Sequence, residues 1–437
     1  MAIALAKPSK EITPARLAAF NILKQVETGA FSSILLAADE PHLRPADRAL
    51  CHELVLGVLR WQLRLDKILD HFSRRRIESL DPPVRIALRL GLYQLRHLTR
   101  IPPSAAVNES VSLVRAARLS SATALVNAVL RRSTREPDFD PAAGVSDPLE
   151  RIAIQTSHPA WLIDRWETAF GRDEAESFAT SNNLLPPTAF RVVANRAEES
   201  VVISRLTAVD AEVEASSIVD GAWRVSGATS VLRELSTAGG IYLQDEASQL
   251  VANEVDVKPR ERVLDLCAAP GGKTTLMADR SGDSAFIVAA DVSATRMATV
   301  VNTMSLHELK SIKPVILDAV ESLPFATGSF DKVLVDAPCS GTGTLRRNPE
   351  IRWRLTPFDI DKLAVQQKLI LRRAVEMVKP GGRLVYSTCS VEREENEEVI
   401  DEVLASDERF QLVKTRRTWP QREGCDGFFL AVFEGRC

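Results

Sequence analysis

Leu264-Asp265-Leu266-Cys267-Ala268-Ala269-Pro270-Gly271-Gly272-Lys273-Thr274-Thr275 decides the fold of this 437-residue chain. Its apolar start reads as a buried strand, its glycines as a tight turn, and Lys273 onward as the start of a helix. Glycine lets a backbone approach a ligand with no Cβ in the way, so a nucleotide-type cofactor fits this turn. It is not a P-loop, because GxxxxGK[ST] needs glycine where Cys267 stands, and the GxGxxG pattern is absent too. Working outward, Val263–Leu266, Ala285–Ala290, Lys313–Leu317, Lys332–Val335 and Arg383–Tyr386 read as short buried strands. Helices at Lys273–Arg280, Ala294–Leu306, Asp359–Val378 and Glu394–Leu404 separate most of them. That alternation predicts an open, mostly parallel sheet with helices on both faces. Phe410–Val413 and Gly427–Phe433 could close it as an antiparallel pair.

Upstream, the pattern changes. From Pro14 to about Glu136 apolar residues recur at helical spacing, as in Leu54, Val55, Val58 and Leu59 and then Leu65 and Leu69. Breaks fall at Gly29, Pro41, Pro45, Pro82-Pro83 and Pro102-Pro103, predicting a bundle of several helices. Glu136–Pro148 has linker composition. From His158 to about Gly240 the chain is mixed: helices at Trp161–Phe170 and Asp173–Asn182, then short strands at Phe190–Ala194, Glu212–Ser216 and Ala222–Val225. Three domains are expected: residues 1–145 (helical, with linker), 146–240 (small α+β) and 241–437 (α/β).

Hydrophobic content of 45% with 26% charged residues is that of an ordinary globular chain. No apolar stretch approaches the roughly 20 residues that span a bilayer, and Met1–Lys10 does not read as a signal peptide. Six cysteines with no CxxC spacing fit reduced thiols better than disulfides or a zinc site, so a cytoplasmic address and no metal are expected. The net charge of −3 conceals an asymmetry: Met1–Pro137 carries 21 Lys/Arg against 12 Asp/Glu, about +9, which leaves the remainder near −12. A basic module joined to an acidic one suits an enzyme that must find a polyanion, although an arginine-rich solvated surface gives the same count.

Past the glycine turn, strand Ala285–Ala290 ends in Asp291, where a carboxylate can accept from both hydroxyls of a ribose. Asp318 ends the next strand in the same way and could address an adenine amine. Alone, such residues are more often caps or turn formers. In step with the glycine loop they point to a nucleoside cofactor. S-adenosylmethionine fits better than NAD, since nothing marks a hydride-transfer site.

The chemistry lies in two cysteines, Cys339 in Val335-Asp336-Ala337-Pro338-Cys339-Ser340-Gly341-Thr342-Gly343 and Cys389 in Val385-Tyr386-Ser387-Thr388-Cys389-Ser390. Both follow strands, where open α/β sheets hold their reactive groups. Either alone reads as a structural cysteine, but two behind a cofactor loop point to covalent catalysis. Cytosine C5 is a poor nucleophile; a thiolate added at C6 makes the ring an enamine whose C5 can attack a sulfonium methyl. A free thiol is only a few per cent ionised at neutral pH. Lys273 is a candidate local cation, and Asp336 is placed to hydrogen-bond the N3/N4 edge of the base. Spacing does not settle which thiol attacks.

These three motifs, with Glu394-Glu395-Asn396-Glu397, resemble the Sun/NOL1/NOP2 family of RNA cytosine-C5 methyltransferases. The resemblance implies a Rossmann-like class I methyltransferase domain and assigns nucleophilic attack to Cys389 and product release to Cys339. Family cofactor contacts map onto Cys267, Ala268, Ala269, Pro270, Gly271, Gly272, Lys273, Asp291, Asp318 and Asp336. In the helical part, Leu88–Leu95, Val107–Val111 and Val126–Arg131 resemble the NusB-like RNA-binding domain. A NusB-like head on this catalytic domain is the arrangement of the bacterial RsmB (Sun/Fmu) branch, which implies 16S ribosomal RNA, free or in an early small-subunit particle, as substrate, and a monomer. The middle module is similar to that family's small RNA-recognition subdomain by position and lacks the aromatic-rich strands of an RRM.

Other residues divide between function and packing. Arg346-Arg347-Asn348-Pro349-Glu350 follows the Cys339 loop and is expected to contact substrate, whereas Trp353 and His158 are expected to be structural. Arg74-Arg75-Arg76 and Arg131-Arg132 fit phosphate contacts or solvated helix ends equally. Asp245-Glu246 could organise the cofactor pocket. The rival readings are a non-catalytic RNA-binding or assembly factor with a vestigial site, and the same chemistry on tRNA or on another ribosomal cytosine.

Overall fold

The computed structural model describes residues 12–39 and 42–436. The Pro41 break, the Met1–Lys10 reading and Cys437 lie outside them. The chain divides into two compact units, Met1–Leu184 with Leu345–Arg354, and Leu185–Thr344 with Leu355–Cys437.

The first unit is helical. Pro14–Glu27, Pro45–Arg60, Pro82–His97 and Pro103–Ala116 each begin at a proline, whose fixed φ and missing N–H suit the first turn. In Pro82–His97 every residue from Ile86 to Gln94 is buried, and a helix covered all round is the centre of a bundle. Pro45–Arg60 and Gln62–Ser73 supply Leu54, Val55, Val58, Leu65 and Leu69 to the same core. After the irregular stretch that precedes Pro148, three more helices follow: Pro148–Thr156, Ala160–Phe170 and Arg172–Ser181.

The second unit holds two sheets. Strands β1 (Thr188–Val192), β2 (Glu212–Ala215), β3 (Ala222–Ser226) and β4 (Ile241–Leu243) form an antiparallel sheet in the order β2-β3-β1-β4. Helices Glu199–Thr207 and Thr229–Thr237 pack Val202, Leu206, Leu232 and Leu235 onto Phe190 and Ile241. Neither helix was expected from the sequence, and β4 belongs here rather than to the parallel alternation that begins at Ile241.

Strands β5 (Arg262–Asp265), β6 (Phe286–Asp291), β7 (Ile312–Ile316), β8 (Phe330–Asp336), β9 (Val378–Thr388), β10 (Phe410–Thr418) and β11 (Phe428–Gly435) form the large sheet, in the order β10-β11-β9-β8-β5-β6-β7. β5 to β9 pair in parallel, while β11 pairs antiparallel with both β9 and β10. On one face Leu250, Val251, Leu276, Met277, Met297 and Val300 come from helices Glu246–Val255, Gly272–Arg280 and Ala294–Leu306. On the other, Ile370, Leu371, Ala374, Val399 and Val403 come from Pro357–Met377 and Glu397–Ser406. This is the open α/β sheet, with its antiparallel closing pair, that the strand–helix alternation predicts.

Candidate active site

The glycine loop, the three aspartates expected at strand ends and both thiols sit at the carboxyl ends of the parallel strands, where open α/β sheets bind ligands. β5 ends in Asp265, β6 in Asp291 and β8 in Asp336, and Asp318 follows β7 by two residues. Because β8 and β9 pair with Asp336 opposite Ser387, the chain leaves both strands at the same level. Cys339 and Cys389 therefore meet: their Sγ atoms are 3.3 Å apart. The loop after Cys339 is stitched down by Gly343, whose N–H donates to the Cys389 carbonyl at 2.9 Å and whose carbonyl accepts from the Gly427 N–H at 2.8 Å. Any Cβ at Gly343 would overlap the Gly427 carbonyl.

The two thiols share a cavity of about 280 Å³ with Asp291, Asp318 and Asp336. Val292, Ala319 and Ile370 line it as well, and Val292 is 63% exposed, an apolar surface on which a flat ring can rest. Asp291 accepts from the Ser293 and Ala269 N–H groups, at 2.9 and 3.2 Å, and Asp318 from the Val320 N–H at 3.0 Å. Cys267 and Ala269 supply the wall from the glycine loop. Gly271 turns that loop with φ +104°, and a Cβ there would come 3.2 Å from the Val300 Cα. Two carboxylates at neighbouring strand ends, an apolar rest and a glycine-turned loop lining the cavity fit the hydroxyls, base and tail of S-adenosylmethionine.

Lys273 with Ala268, Pro270 and Gly272 faces an adjoining cavity of about 190 Å³ that shares Cys267, Ala269 and Asp336 with the first. Its Nζ donates to Asp336 Oδ2 at 2.6 Å, and Ser387 Oγ donates to Oδ1 at 2.7 Å. Burial pulls the Lys273 ammonium down, but the Asp336 carboxylate and its hydrogen bond, then Cys389 and Asp265, outweigh this and raise its pKa. It therefore stays charged beside the thiols. The hydrogen bond to Cys389, then burial, push the Cys339 thiol well up. Burial, then the Asp265, Asp336 and Asp291 charges, keep Cys267 protonated, and burial raises Cys51 and Cys425 to about 12. Asp265, fully buried, is raised to about 7 by desolvation, against the 2.7 Å bond from Thr274 Oγ1.

The remaining candidates fall elsewhere. Asp245 lines the Lys273 cavity and caps helix Glu246–Val255 through the Ala247 N–H, while Glu246 is buried against Arg224 at 2.6 Å. Of the Arg346–Glu350 segment, Arg346 and Glu350 are taken up by packing, while Arg347 and Asn348 stay half-exposed. This segment groups with the helical unit, where Arg346 and Glu350 are only 3% and 1% exposed; Glu350 Oε1 accepts from Ser32, and the Arg346 carbonyl accepts from Arg60. Trp353 and His158 are structural: the Trp353 indole N–H donates to the Leu59 carbonyl, and the His158 ring is wholly buried against Thr156. Arg74, Arg75, Arg76 and Arg131 are exposed. Gln367, Glu395 and Asn396, all buried around the cysteine loops, were given no role from sequence. The available signals were a polar residue, Gln367, inside the apolar stripe of its helix, and the place of Glu395 and Asn396 in the Glu394–Glu397 motif. Among the described residues no helix is long and apolar enough to cross a membrane, and no His/Cys/Asp/Glu cluster could hold a metal.

Three family models match: the NusB family over residues 13–135, the RsmF/B-like ferredoxin-like domain over 158–232 and the 16S rRNA methyltransferase RsmB/F over 252–434. The probable ribosomal RNA small subunit methyltransferase B of Bacillus subtilis is 35% identical, covering 87% of this chain and 85% of that protein. The Pseudomonas putida ribosomal RNA small subunit methyltransferase B is 33% identical, covering 95% and 97%. The crystal structure of PH0851 superposes with a TM-score of 0.84 at 29% identity, covering 98% of this chain and 100% of that one. A NusB-type helical unit, a small antiparallel sheet and a thiol-bearing methyltransferase sheet thus stand in one chain, which belongs to the ribosomal RNA small subunit methyltransferase B family and takes S-adenosylmethionine as its cofactor.

Proposed function

We propose that the protein methylates C5 of one cytidine in 16S ribosomal RNA through a covalent adduct between Cys389 and C6 of the base. The observation that carries this reading is the 3.3 Å approach of two thiols inside the cavity that also holds Asp291, Asp318 and Asp336. When bound, S-adenosylmethionine supplies an electrophilic methyl group. Asp291 would take the ribose hydroxyls, Asp318 the adenine amine, and the Cys267–Lys273 backbone the remainder.

The family resemblance assigns the attack on C6 to Cys389 and leaves Cys339, whose thiol is pushed up by its hydrogen bond to Cys389 and by burial, as the release group. As the Cys389 sulfur bonds to C6, electron density moves to N3 and C5, and Asp336 receives the N3/N4 edge of the ring. The Lys273 ammonium offsets the negative charge that gathers there. After methylation the C5 proton passes to solvent water, its electron pair re-forms the C5–C6 double bond, and the C6–S bond breaks to expel the Cys389 thiolate. An S–H from Cys339, already at hydrogen-bond distance, stabilises that departing sulfur. Ring addition requires the base to leave its stack, and the basic helical unit supplies charge suited to holding the surrounding phosphates.

The test is methyl transfer from labelled cofactor to small-subunit RNA lacking the modification, with bisulfite sequencing of RNA from a deletion strain to locate the site. Incorporation at one cytosine is expected. No incorporation into this or any other RNA would instead favour an assembly factor with a vestigial site.

A further inference from the structure

We propose that the consecutive residues Glu395 and Asn396 are positioning residues, each bracing chiefly one of the two cysteine loops, so that nucleophile and release group are placed from adjacent positions. Ser340 and Ser390 also join the two loops directly, at 3.1 Å. The inference rests on the roles proposed above for Cys389 and Cys339.

Both side chains are wholly buried. Glu395 Oε1 accepts from the Ser340 N–H at 2.8 Å and from Gln367 Nε2 at 2.9 Å, and Oε2 accepts from the Ser340 hydroxyl. The same Gln367 nitrogen donates to the Pro338 carbonyl at 2.8 Å. Pro338 and Ser340 are the neighbours of Cys339, so both sides of that residue are fixed by Glu395 and its Gln367 partner. Asn396 does the equivalent on the other loop: its Oδ1 accepts from Thr388 Oγ1 at 2.6 Å and its Nδ2 donates to the Ser390 carbonyl at 2.9 Å. Thr388 and Ser390 flank Cys389. The clamp is itself anchored, because the Tyr386 hydroxyl on β9 donates to the Glu395 carbonyl at 2.6 Å.

Burying a carboxylate is costly unless its oxygens are filled. Here three of the four hydrogen bonds to the pair's side-chain oxygens come from residues adjoining a cysteine, and the fourth comes from Gln367, which reaches Pro338. This spends a buried charge on placing sulfur atoms, and a displacement of about 1 Å in a reacting group can cost roughly 100-fold in rate.

The experiment uses full-length Glu395→Ala and Asn396→Ala, each alone and with Cys339→Ala, and Glu395→Gln and Asn396→Asp as conservative rescues. Affinity for S-adenosylhomocysteine checks the fold. Asn396→Ala should slow formation of the RNA adduct roughly 100-fold, whereas Glu395→Ala should form adduct at the wild-type rate and accumulate it. The conservative variants should recover part of each loss. Equal effects of both variants on both steps, with cofactor affinity intact, would overturn the proposal.

Should either alanine variant lose the cofactor, the milder Thr388→Val and Ser340→Ala decide: the same opposite effects support the clamp, and unchanged kinetics in both overturn it. Alkylation of each thiol by iodoacetamide, read by peptide mass spectrometry without RNA, separates this idea from the reading beneath it. Asn396→Ala should alter the rate more at Cys389 than at Cys339 and Glu395→Ala more at Cys339 than at Cys389, whatever the two sulfurs do in catalysis. If Cys339→Ala alone forms no adduct, the assigned thiol roles fail, while selective alkylation would still uphold the clamp.

Discussion

Cys339 and Cys389 lie fifty positions apart in the chain, yet their sulfurs stand 3.3 Å from each other, because β8 and β9 pair with Asp336 beside Ser387. The geometry makes the thiols partners, and the proposed reaction gives them different roles, attack to Cys389 and release to Cys339. Replacing Cys389 with alanine should therefore abolish methyl transfer, and cofactor binding should persist because Asp291 and Asp318 are untouched. Labelled-methyl incorporation together with calorimetric binding of S-adenosylhomocysteine checks both halves.

The Lys273–Asp336 pair is held at 2.6 Å. Removing one partner of such a pair leaves the other charge uncompensated. Lys273→Met should lower the methylation rate by about 100- to 1,000-fold, the scale of losing one preorganised electrostatic contact to a reacting group. Single-turnover kinetics would measure it, and a loss below tenfold would remove Lys273 from the chemistry.

Asp265 provides a pH signature. Burial raises its pKa from an ordinary 3.8 to about 7, so the folded protein holds this proton more tightly than the unfolded chain does. The resulting stability is complete at low pH and is lost as pH rises through that window. Asp265→Asn keeps an acceptor for Thr274 and should remove this contribution. Across pH 4–7, stability of the wild type relative to the variant should fall with pH, by at most about 1.4 kcal/mol per unit. Parallel urea denaturation of the two proteins at several pH values is the measurement.

Arg352 is the most deeply buried of several buried arginines among the described residues of the helical unit. Its guanidinium donates to the carbonyls of Arg60, Ser157, Asn182 and Leu345 and to Asn183 Oδ1. Burial, then the nearby Arg60 charge, lower its pKa to about 9. Each buried carbonyl left unsatisfied costs about 1–3 kcal/mol, so Arg352→Met should destabilise the protein by about 3 kcal/mol or more. Arg352→Lys should not restore it, since an ammonium lacks the planar fork. Chemical denaturation of the full chain reads both.

What could be read in advance follows from where each signal resides. The Cys267–Lys273 loop, Asp291, Asp318, Asp336 and both thiols belong to strand-then-loop patterns a few residues long, and the parallel sheet brings such ends together. The grouping of Leu345–Arg354 with the helical unit has no local signature, because Arg352 finds its carbonyls through tertiary contacts far away in the chain. This is why Arg346 and Glu350 looked like loop residues free to meet substrate. Glu395 and Asn396 stand in the Glu394–Glu397 motif, whose residues acquire a role only when the Ser340 and Thr388 bonds are seen. Helices Glu199–Thr207 and Thr229–Thr237 are nine residues each, too short for their period to stand out, and three-residue β4 is defined only by its pairing with β1.

Peptide mapping of Cys339→Ala trapped on its RNA tests the central claim most directly. The enzyme is mixed with unmodified small-subunit RNA and cofactor, denatured, digested and analysed by mass spectrometry. The nucleotide should be bonded to the sulfur of Cys389 and should already carry the new methyl group. A nucleotide on any other residue, or full turnover with no trapped species, would contradict the account.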